Sequence, residues 1–124
     1  MQNQVIVVLG SNIDALNNIN GALALLKQHF KVNKISSVLK TAPIGITNQP
    51  YFLNAAVLLE TSLEKEAFNK LLKAMEDELG RDRTRPKYGP REIDMDILSW
   101  NGKIVDDDYY SRDFLQQLVA ELNQ

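Results

Sequence analysis

Apolar residues at the start of the chain change from an unbroken run to a helical spacing. The run VIVVL at residues 5–9 is rich in β-branched residues and has no polar interruption, which is typical of a buried strand. Beyond it, a helix is indicated by apolar residues spaced three and four apart, namely Leu16, Ile19, Leu23, Leu26 and Phe30. The polar side chain of Asn12 or of Ser11 is expected to cap the start of this helix.

The next part of the chain predicts two strands with a loop between them. Residues 31–41 and 51–61 have the apolar and β-branched content of strands, and the second of them is expected to be mostly buried. Residues 40–50 contain two prolines, a glycine and few charges, so they are predicted to form a loop. That loop is long for so short a chain, and long loops are more often functional than structural.

A second helix follows the strand at 51–61. Thr61 and Glu64 have the spacing of a capping box, so Thr61 is expected to cap the helix. One face of this helix is apolar, with Phe68, Leu71, Leu72, Met75 and Leu79. Gly80 stands where a left-handed residue commonly ends a helix.

The C-terminal third predicts a strand, a hairpin and a helix. Residues 92–100 form the strand, and Asn101–Gly102 is a strong signal for a tight hairpin turn into a short returning strand at 103–105. Residues 111–122 have an apolar face and are predicted to form one helix. We expect this helix to cover its own sheet, so a monomer is favoured over a homodimer.

The order of these elements indicates a fold class. It is β-α-β-β-α-β, followed by a short hairpin and a helix, and this matches a ferredoxin-like α+β sandwich. The length of 124 residues predicts a single domain, residues 1–124.

Composition excludes several classes of function. The net charge of −2 means that the protein as a whole is no polycation, so we expect neither nucleic acid nor membrane as a partner. There is no cysteine, which excludes disulfides and thiolate metal sites. The N-terminus lacks a basic segment, and its apolar run is too short for a signal peptide, so we expect a cytoplasmic location.

Charge is nevertheless concentrated in one place. Five basic residues fall between Arg81 and Arg91, where Asp82 is the only acid, and Asp94 and Asp96 follow within an apolar strand. Alternation along a strand places both carboxylates on one face. Magnesium prefers oxygen ligands and commonly takes one or two carboxylates together with substrate phosphates. The alternative is a solvent-facing strand with two stray acids.

The arginines beside this pair suit phosphate, because a guanidinium group binds phosphate oxygens bidentately. Arginines together with a two-carboxylate magnesium site are what phosphoryl-type transfer requires. The alternative is a solvated run of charge. A P-loop enzyme is excluded, because the sequence has no Walker-type glycine loop followed by Lys-Ser or Lys-Thr.

The segment GPREIDMDIL at 89–98 resembles the signature of the 6-hydroxymethyl-7,8-dihydropterin pyrophosphokinase family of folate synthesis. Three further stretches agree in order and spacing: LGSN at 9–12, TAPIGITNQPYFLNAAV at 41–57 and EDELGRDR at 76–83. The family has a ferredoxin-like fold. It transfers pyrophosphate from ATP, a co-substrate, to the hydroxymethyl group of the pterin, and AMP is released.

The resemblance implies roles on the phosphate side. Asp94 and Asp96 would hold two Mg²⁺ ions, and Arg81 and Arg91 would be catalytic. ATP would contact Glu76, Arg81, Arg83, Arg91, Ile97 and Arg112. For Glu76 an alternative is a solvated helix residue, and Ile97 is also expected to point to the core.

The resemblance also implies a pterin site. Its residues would be Thr41, Pro43, Ile44, Phe52, Asn54, Tyr88 and Phe114. A flat ring needs aromatic stacking and a few fixed hydrogen bonds. Asn54 offers both a donor and an acceptor, and Tyr88 would close over the ring. For Phe52 the alternative is plain core packing.

The chain departs from the family after the hairpin, and in this it looks like a shortened member. A Pro-His segment with further basic residues is expected there, whereas this chain has Asp106, Asp107 and Asp108 and no histidine after His29. Two alternatives to an active pyrophosphokinase therefore stay open. One is a pterin-binding relative with weak or lost transfer activity, and the other is a small nucleic-acid-binding module that uses the basic segment 81–91.

Overall fold

The structure is a computed structural model, and it describes residues 2–123. Within them the chain is an α+β protein with one six-stranded sheet and four helices. The strands are β1 (Asn3–Ser11), β2 (Lys31–Ile35), β3 (Leu39–Thr41), β4 (Phe52–Thr61), β5 (Asp94–Trp100) and β6 (Lys103–Ile104). The helices are α1 (Ala15–His29), α2 (Lys65–Glu78), α3 (Asp108–Ser111) and α4 (Asp113–Leu122).

Strand β1 lies at the centre of the sheet. The order is β2-β4-β1-β5-β6, with β3 also pairing with β4, and the paired strands are antiparallel. β1 pairs with β4 over its whole length, from Asn3 opposite Thr61 to Ser11 opposite Leu53. Since both faces of a central strand are covered, its apolar run needs no polar alternation, as residues 5–9 predicted.

One face of the sheet carries α1 and α2. Alternate residues of β1, Val5, Val7 and Leu9, pack there against apolar side chains of both helices. The rings of Phe68 and Trp100 are 5.7 Å apart, and Phe68 is 5.0 Å from the ring of Phe30. This core therefore ties the strands to both helices around one aromatic cluster.

The opposite face is covered by α4. The buried residues of this second core are Ile6, Ala56, Leu98, Leu115, Leu118, Val119 and Leu122. The prediction that the last helix packs on its own sheet is thereby confirmed. It covers only part of that face, and the part left uncovered holds the cleft described below.

Several boundaries differ from the sequence prediction. The strand expected at 31–41 is divided into β2 and β3. Between them, the Ser36 N–H still donates to the Ala56 carbonyl, but the Ala56 N–H donates to the Ser36 hydroxyl at 2.8 Å and not to a backbone carbonyl. The helix expected at 111–122 is interrupted at Arg112, whose extended backbone separates α3 from α4.

Both predicted N-terminal caps are wrong. α1 begins after Asp14, while the Ser11 hydroxyl donates to the Ile13 carbonyl and Asn12 bonds elsewhere. α2 begins after Glu64, and the Thr61 hydroxyl instead accepts the Leu63 N–H. In both cases a turn before the helix uses the polar side chain that was expected to cap it.

The predicted helix terminator and hairpin turn are confirmed. Gly80 has a φ of 90° just beyond α2, and Asn101 and Gly102 both have positive φ in the β5–β6 hairpin, as a two-residue turn of this type requires. Among the described residues, no helix has the length and apolar character needed to cross a bilayer.

The packing of α4 generates a stability prediction. Leu118 is fully buried in the second core, so Leu118→Ala should lower the free energy of unfolding by about 2–5 kcal/mol. Urea denaturation measures this loss. Gln117→Ala is the matched control, because Gln117 is exposed on the same helix and should change stability by less than about 0.5 kcal/mol. Equal effects of the two changes would show that α4 does not pack on the sheet.

Candidate active site

A cleft of about 480 Å³ opens on the sheet face that α4 leaves uncovered. Its floor comes from three neighbouring strands, β4, β1 and β5, and its walls come from the loops after β3 and before β5 and from the segment around α3. Ten of the residues predicted from the sequence line it: Thr41, Ile44, Phe52, Asn54, Tyr88, Arg91, Asp94, Asp96, Arg112 and Phe114. Positions far apart in the chain thus meet in one cavity.

Asn54 lies in the cleft wall with its amide held in place. It is 6% exposed, and its Nδ2 donates to the Thr41 hydroxyl at 2.6 Å. Gly10 is its partner on β1, and a Cβ added to Gly10 would lie 3.1 Å from the Asn54 oxygen. A glycine at position 10 therefore leaves room for the Asn54 amide, a role that sequence reasoning did not assign to the LGSN stretch.

Three aromatic side chains border the same cleft. Phe52 is half-buried and belongs to neither core of the described chain, so the alternative of plain core packing is wrong. Phe114 comes from the start of α4. Tyr88 is 45% exposed and packs against Gly45, where an added Cβ would lie 2.9 Å from the Tyr88 side chain.

Asp94 and Asp96 face the cleft together, as the strand alternation predicted. Burial raises the pKa of Asp94, but a hydrogen bond with Asp96 and three neighbouring cations outweigh it and hold that pKa below its usual value. The cations are Arg91, Lys73 and Arg81. Burial and the Asp94 carboxylate raise the pKa of Asp96 to about 7. The pair therefore retains a proton near neutral pH, because two adjacent carboxylates repel each other.

Lys73 is a residue of this site that sequence reasoning missed. Its Nζ lies 3.1 Å from Asp96 Oδ1 and 3.0 Å from Glu76 Oε2, and it also donates to the Met95 carbonyl. Although burial lowers the pKa of Lys73, the two carboxylates outweigh it and raise that pKa. The only available signal was the i, i+3 spacing from Glu76 on a helix, which many surface pairs share.

Glu76 is the buried centre of the charge network. Its side chain is fully buried, so the alternative of a solvated helix residue is wrong. Oε1 accepts from Arg81 and from Arg83 at 3.1 Å, and Oε2 accepts the Met95 N–H at 2.6 Å. Glu76 therefore orients the two arginines and lies behind the cleft wall.

The basic segment is neutralised by acids from elsewhere in the chain. Arg81 also donates to Asp94, and Arg83 pairs with Asp77 on α2. Arg85 pairs with Glu92, and Arg91 Nη1 lies 3.0 Å from Asp94 Oδ2. Each of the four arginines thus pairs with a carboxylate. The sequence of the segment did not indicate this, because Asp82 is the only acid within it.

The segment after the hairpin brings acids to the cleft, as the departure from the family pattern suggested. Asp106 and Asp108 both line it. Arg112 also lines it, and its guanidinium lies 3.4 Å from Asp108. These two aspartates reduce the positive charge that Arg112 presents to an anionic ligand.

Five predicted residues do not line the cleft. Arg81 and Arg83 lie behind it with Glu76, and Pro43 lies in the loop beside Ile44. Ile97 packs against the helix-side core, in agreement with the strand alternation. Contacts of these side chains with ATP or pterin stay predictions.

The carboxylate pair suits a hard cation. Asp94 and Asp96 offer adjacent oxygen ligands at an open cleft. Burial and repulsion from Asp94 raise the pKa of Asp96, and a divalent ion would oppose both effects by favouring the charged carboxylate. Over residues 2–123, no group of three or more His, Cys, Asp or Glu side chains could hold a metal ion by itself. The remaining ligands of a cation would therefore come from water or from a phosphate substrate.

Known proteins resemble this chain over nearly its whole length. The family model described as 7,8-dihydro-6-hydroxymethylpterin-pyrophosphokinase (HPPK) matches residues 6–124. A 2-amino-4-hydroxy-6-hydroxymethyldihydropteridine pyrophosphokinase of Bacillus subtilis is 38% identical, over all of this chain and 80% of the relative. A protein of Helicobacter pylori with the same name is 37% identical, over 83% of this chain and 66% of the relative.

A plant relative is longer. A folate synthesis bifunctional protein of Arabidopsis thaliana is 39% identical over 84% of this chain, and the match spans 22% of the plant protein. The family predicted from the four sequence stretches is confirmed by these matches. The chain therefore belongs to the 7,8-dihydro-6-hydroxymethylpterin-pyrophosphokinase family.

Proposed function

We propose that this chain transfers pyrophosphate from ATP to 6-hydroxymethyl-7,8-dihydropterin in folate synthesis. Membership of the family supports this, as do relatives named for the pyrophosphokinase and for folate synthesis. The observation that carries the proposal is that one cleft combines two kinds of binding residues. It holds the Asn54–Thr41 amide site and three aromatic rings beside a carboxylate pair that arginines surround.

The pterin would bind at the aromatic end of the cleft. Phe52, Phe114 and Tyr88 offer ring faces for a flat heterocycle. The Asn54 amide gives one proton to Thr41, which leaves a second proton and the carbonyl oxygen for the amide-like edge of a pterin. An exposed Tyr88 beside Gly45 is placed to close over the ring.

The triphosphate would lie along the carboxylates and arginines. Asp94 and Asp96 would hold Mg²⁺, which supplies charge neutralisation of the phosphates and helps to activate the attacking hydroxyl. Arg91 is half-buried in the cleft wall and can move from Asp94 to a phosphate oxygen. Arg81 keeps Asp94 in place from behind, through its contact at 3.1 Å.

The transfer is a single displacement. The hydroxymethyl oxygen of the pterin attacks the β-phosphorus of ATP, the bond from that phosphorus to the α–β bridging oxygen breaks, and AMP leaves. The hydroxyl proton passes to solvent. The arginines are already held in place by carboxylates before the reaction. Little reorganisation of their side chains is therefore needed when charge develops on the phosphates.

The finer architecture supports this assignment. We infer a ferredoxin-like sheet, because β2, β4, β1 and β5 lie side by side in an antiparallel order with α1 and α2 on one face. We also propose that residues 1–124 form one domain and that the protein is cytoplasmic. We propose a monomer because α4 covers its own sheet.

A second candidate function is a pterin-binding relative with weak or lost transfer. Asp106 and Asp108 favour it, because acids in the cleft oppose the binding of a triphosphate. The nucleic-acid-binding module is disfavoured by the same charges and by the pairing of the basic segment with carboxylates.

The product identifies the reaction. Incubation with ATP, Mg²⁺ and the hydroxymethyl-dihydropterin should yield AMP and the pterin pyrophosphate, measured by chromatography. Formation of ADP would overturn the pyrophosphoryl assignment. If pterin binds and neither nucleotide product appears, the second candidate function is the correct one.

Asp96→Ala should abolish transfer and leave the fold intact. The side chain is 43% exposed, so its loss costs little packing, whereas the carboxylate pair loses half of its oxygen ligands. A fall of at least about 100-fold in AMP formation is expected, which is about 2.7 kcal/mol in the barrier. Asp107→Ala is the control, because Asp107 is exposed and outside the cleft. Activity of Asp96→Ala within about tenfold of the parent would exclude Asp96 as a ligand.

The basic segment should become more protected when nucleotide binds. Its arginines pair with Glu76, Asp77, Glu92 and Asp94, and a triphosphate would offer them stronger anionic partners. Hydrogen exchange of residues 81–90 should slow when ATP analogue, Mg²⁺ and pterin are added together, while α1 exchanges as before. Unchanged exchange at 81–90 would contradict the phosphate role of this segment.

A further inference from the structure

Asn12 has no role in the function described so far, yet it is 6% exposed and its polar atoms contact two separate segments, one at Gln49 and Pro50 and the other at Arg91. It follows β1 directly and lies opposite Arg91. The Asn12 N–H donates to the Arg91 carbonyl at 3.1 Å, and Asn12 Oδ1 accepts the Arg91 N–H at 2.8 Å. Both backbone polar groups of Arg91 are therefore held by one residue.

The other end of the Asn12 amide is fixed from the loop before β4. Its Nδ2 donates to Gln49 Oε1 at 2.9 Å and to the Pro50 carbonyl at 3.0 Å, so both amide protons are used. Gln49 in turn donates to the carbonyls of Ile46 and Tyr88. The orientation of the Asn12 side chain is thus fixed by hydrogen bonds at both its oxygen and its nitrogen.

Arg91 depends on this contact because it lies in neither a helix nor a strand. Its side chain donates to Asp94 Oδ2 at 3.0 Å and to the Lys87 carbonyl, but neither contact sets where its Cα lies. We propose that Asn12 is the positioning residue for Arg91: it fixes the backbone from which the guanidinium reaches Asp94 and the phosphates. This inference rests on the proposed function.

The chemistry of position 12 is specific to an amide. One oxygen must accept from Arg91, and one nitrogen must supply two protons to Gln49 and Pro50. An aspartate keeps the acceptor for Arg91 but turns a second oxygen toward two acceptors, which is repulsive in a buried site. Asn12→Asp therefore changes hydrogen-bonding capacity at nearly constant volume.

A double-mutant cycle on AMP formation separates positioning from general stability. Asn12→Asp should lower kcat/KM by about tenfold or more in the parent, but by less than about twofold when Arg91 is already Ala. If Asn12→Asp lowers kcat/KM by the same factor with Arg91 and with Ala at position 91, Asn12 does not act through Arg91. Asn69→Asp, an exposed change of the same type on α2, is the control and should leave both backgrounds unaffected.

Hydrogen exchange tests the contact between Asn12 and Arg91 without a measurement of pyrophosphate transfer. The amide of Arg91 should exchange at least about tenfold faster in Asn12→Ala, while amides of β1 paired with β4 exchange as in the parent. Gln49→Ala serves as the second variant. It changes a half-buried loop residue and removes one of the two acceptors of the Asn12 side-chain amide, so it should speed exchange of the Arg91 backbone amide to a smaller extent.

The outcomes are distinguishable. Unchanged exchange at Arg91 in both variants overturns the positioning role, whatever the activity. If the parent chain forms no AMP, the proposed function fails, and the exchange of the Arg91 amide still decides whether Asn12 holds that residue.

Discussion

The buried carboxylate of Glu76 is the interaction on which the arrangement of the site depends. It lies on α2, accepts the Met95 N–H of β5, and receives Lys73, Arg81 and Arg83. Burying a charge is costly unless partners compensate, and here several donors do so. Since those donors belong to three different segments, the helix, the basic segment and the strand with the aspartates are held in one relative position.

The sheet decides where the chemistry can occur. β1 is covered on both faces, by α1 and α2 on one side and partly by α4 on the other. The portion left open is lined by Gly10, Asn54, Asp94 and Asp96 at the neighbouring ends of three strands. The Asn54 amide and the carboxylate pair thus lie on the same surface because their strands are neighbours.

Charge in this cleft is balanced before any substrate binds. Arginines and Lys73 neutralise the aspartates, and burial together with the remaining repulsion from Asp94 raises the pKa of Asp96. Under the proposed function, a metal–triphosphate complex would bring both kinds of charge to groups that are now paired with each other. Asp106 and Asp108 add negative charge to the lining, which makes this cleft less basic than the family pattern implies.

The sequence by itself determined most of the strands, helices α1 and α2, the Asn101–Gly102 turn and the shared face of Asp94 and Asp96, because these follow from local periodicity and spacing. It also indicated the family through four ordered stretches. Only the tertiary structure decided the roles of Lys73, Glu76, Asn12 and Gly10, because each has a partner on another strand or loop: Asp96 for Lys73, the Met95 N–H for Glu76, Arg91 for Asn12 and Asn54 for Gly10. The helix caps were wrong for a more local reason: the Ser11 and Thr61 hydroxyls bond two residues along the chain, to the Ile13 carbonyl and the Leu63 N–H, in turns that precede the helices. The spacing of residues does not distinguish such a turn from a cap, and the folded backbone decides between them.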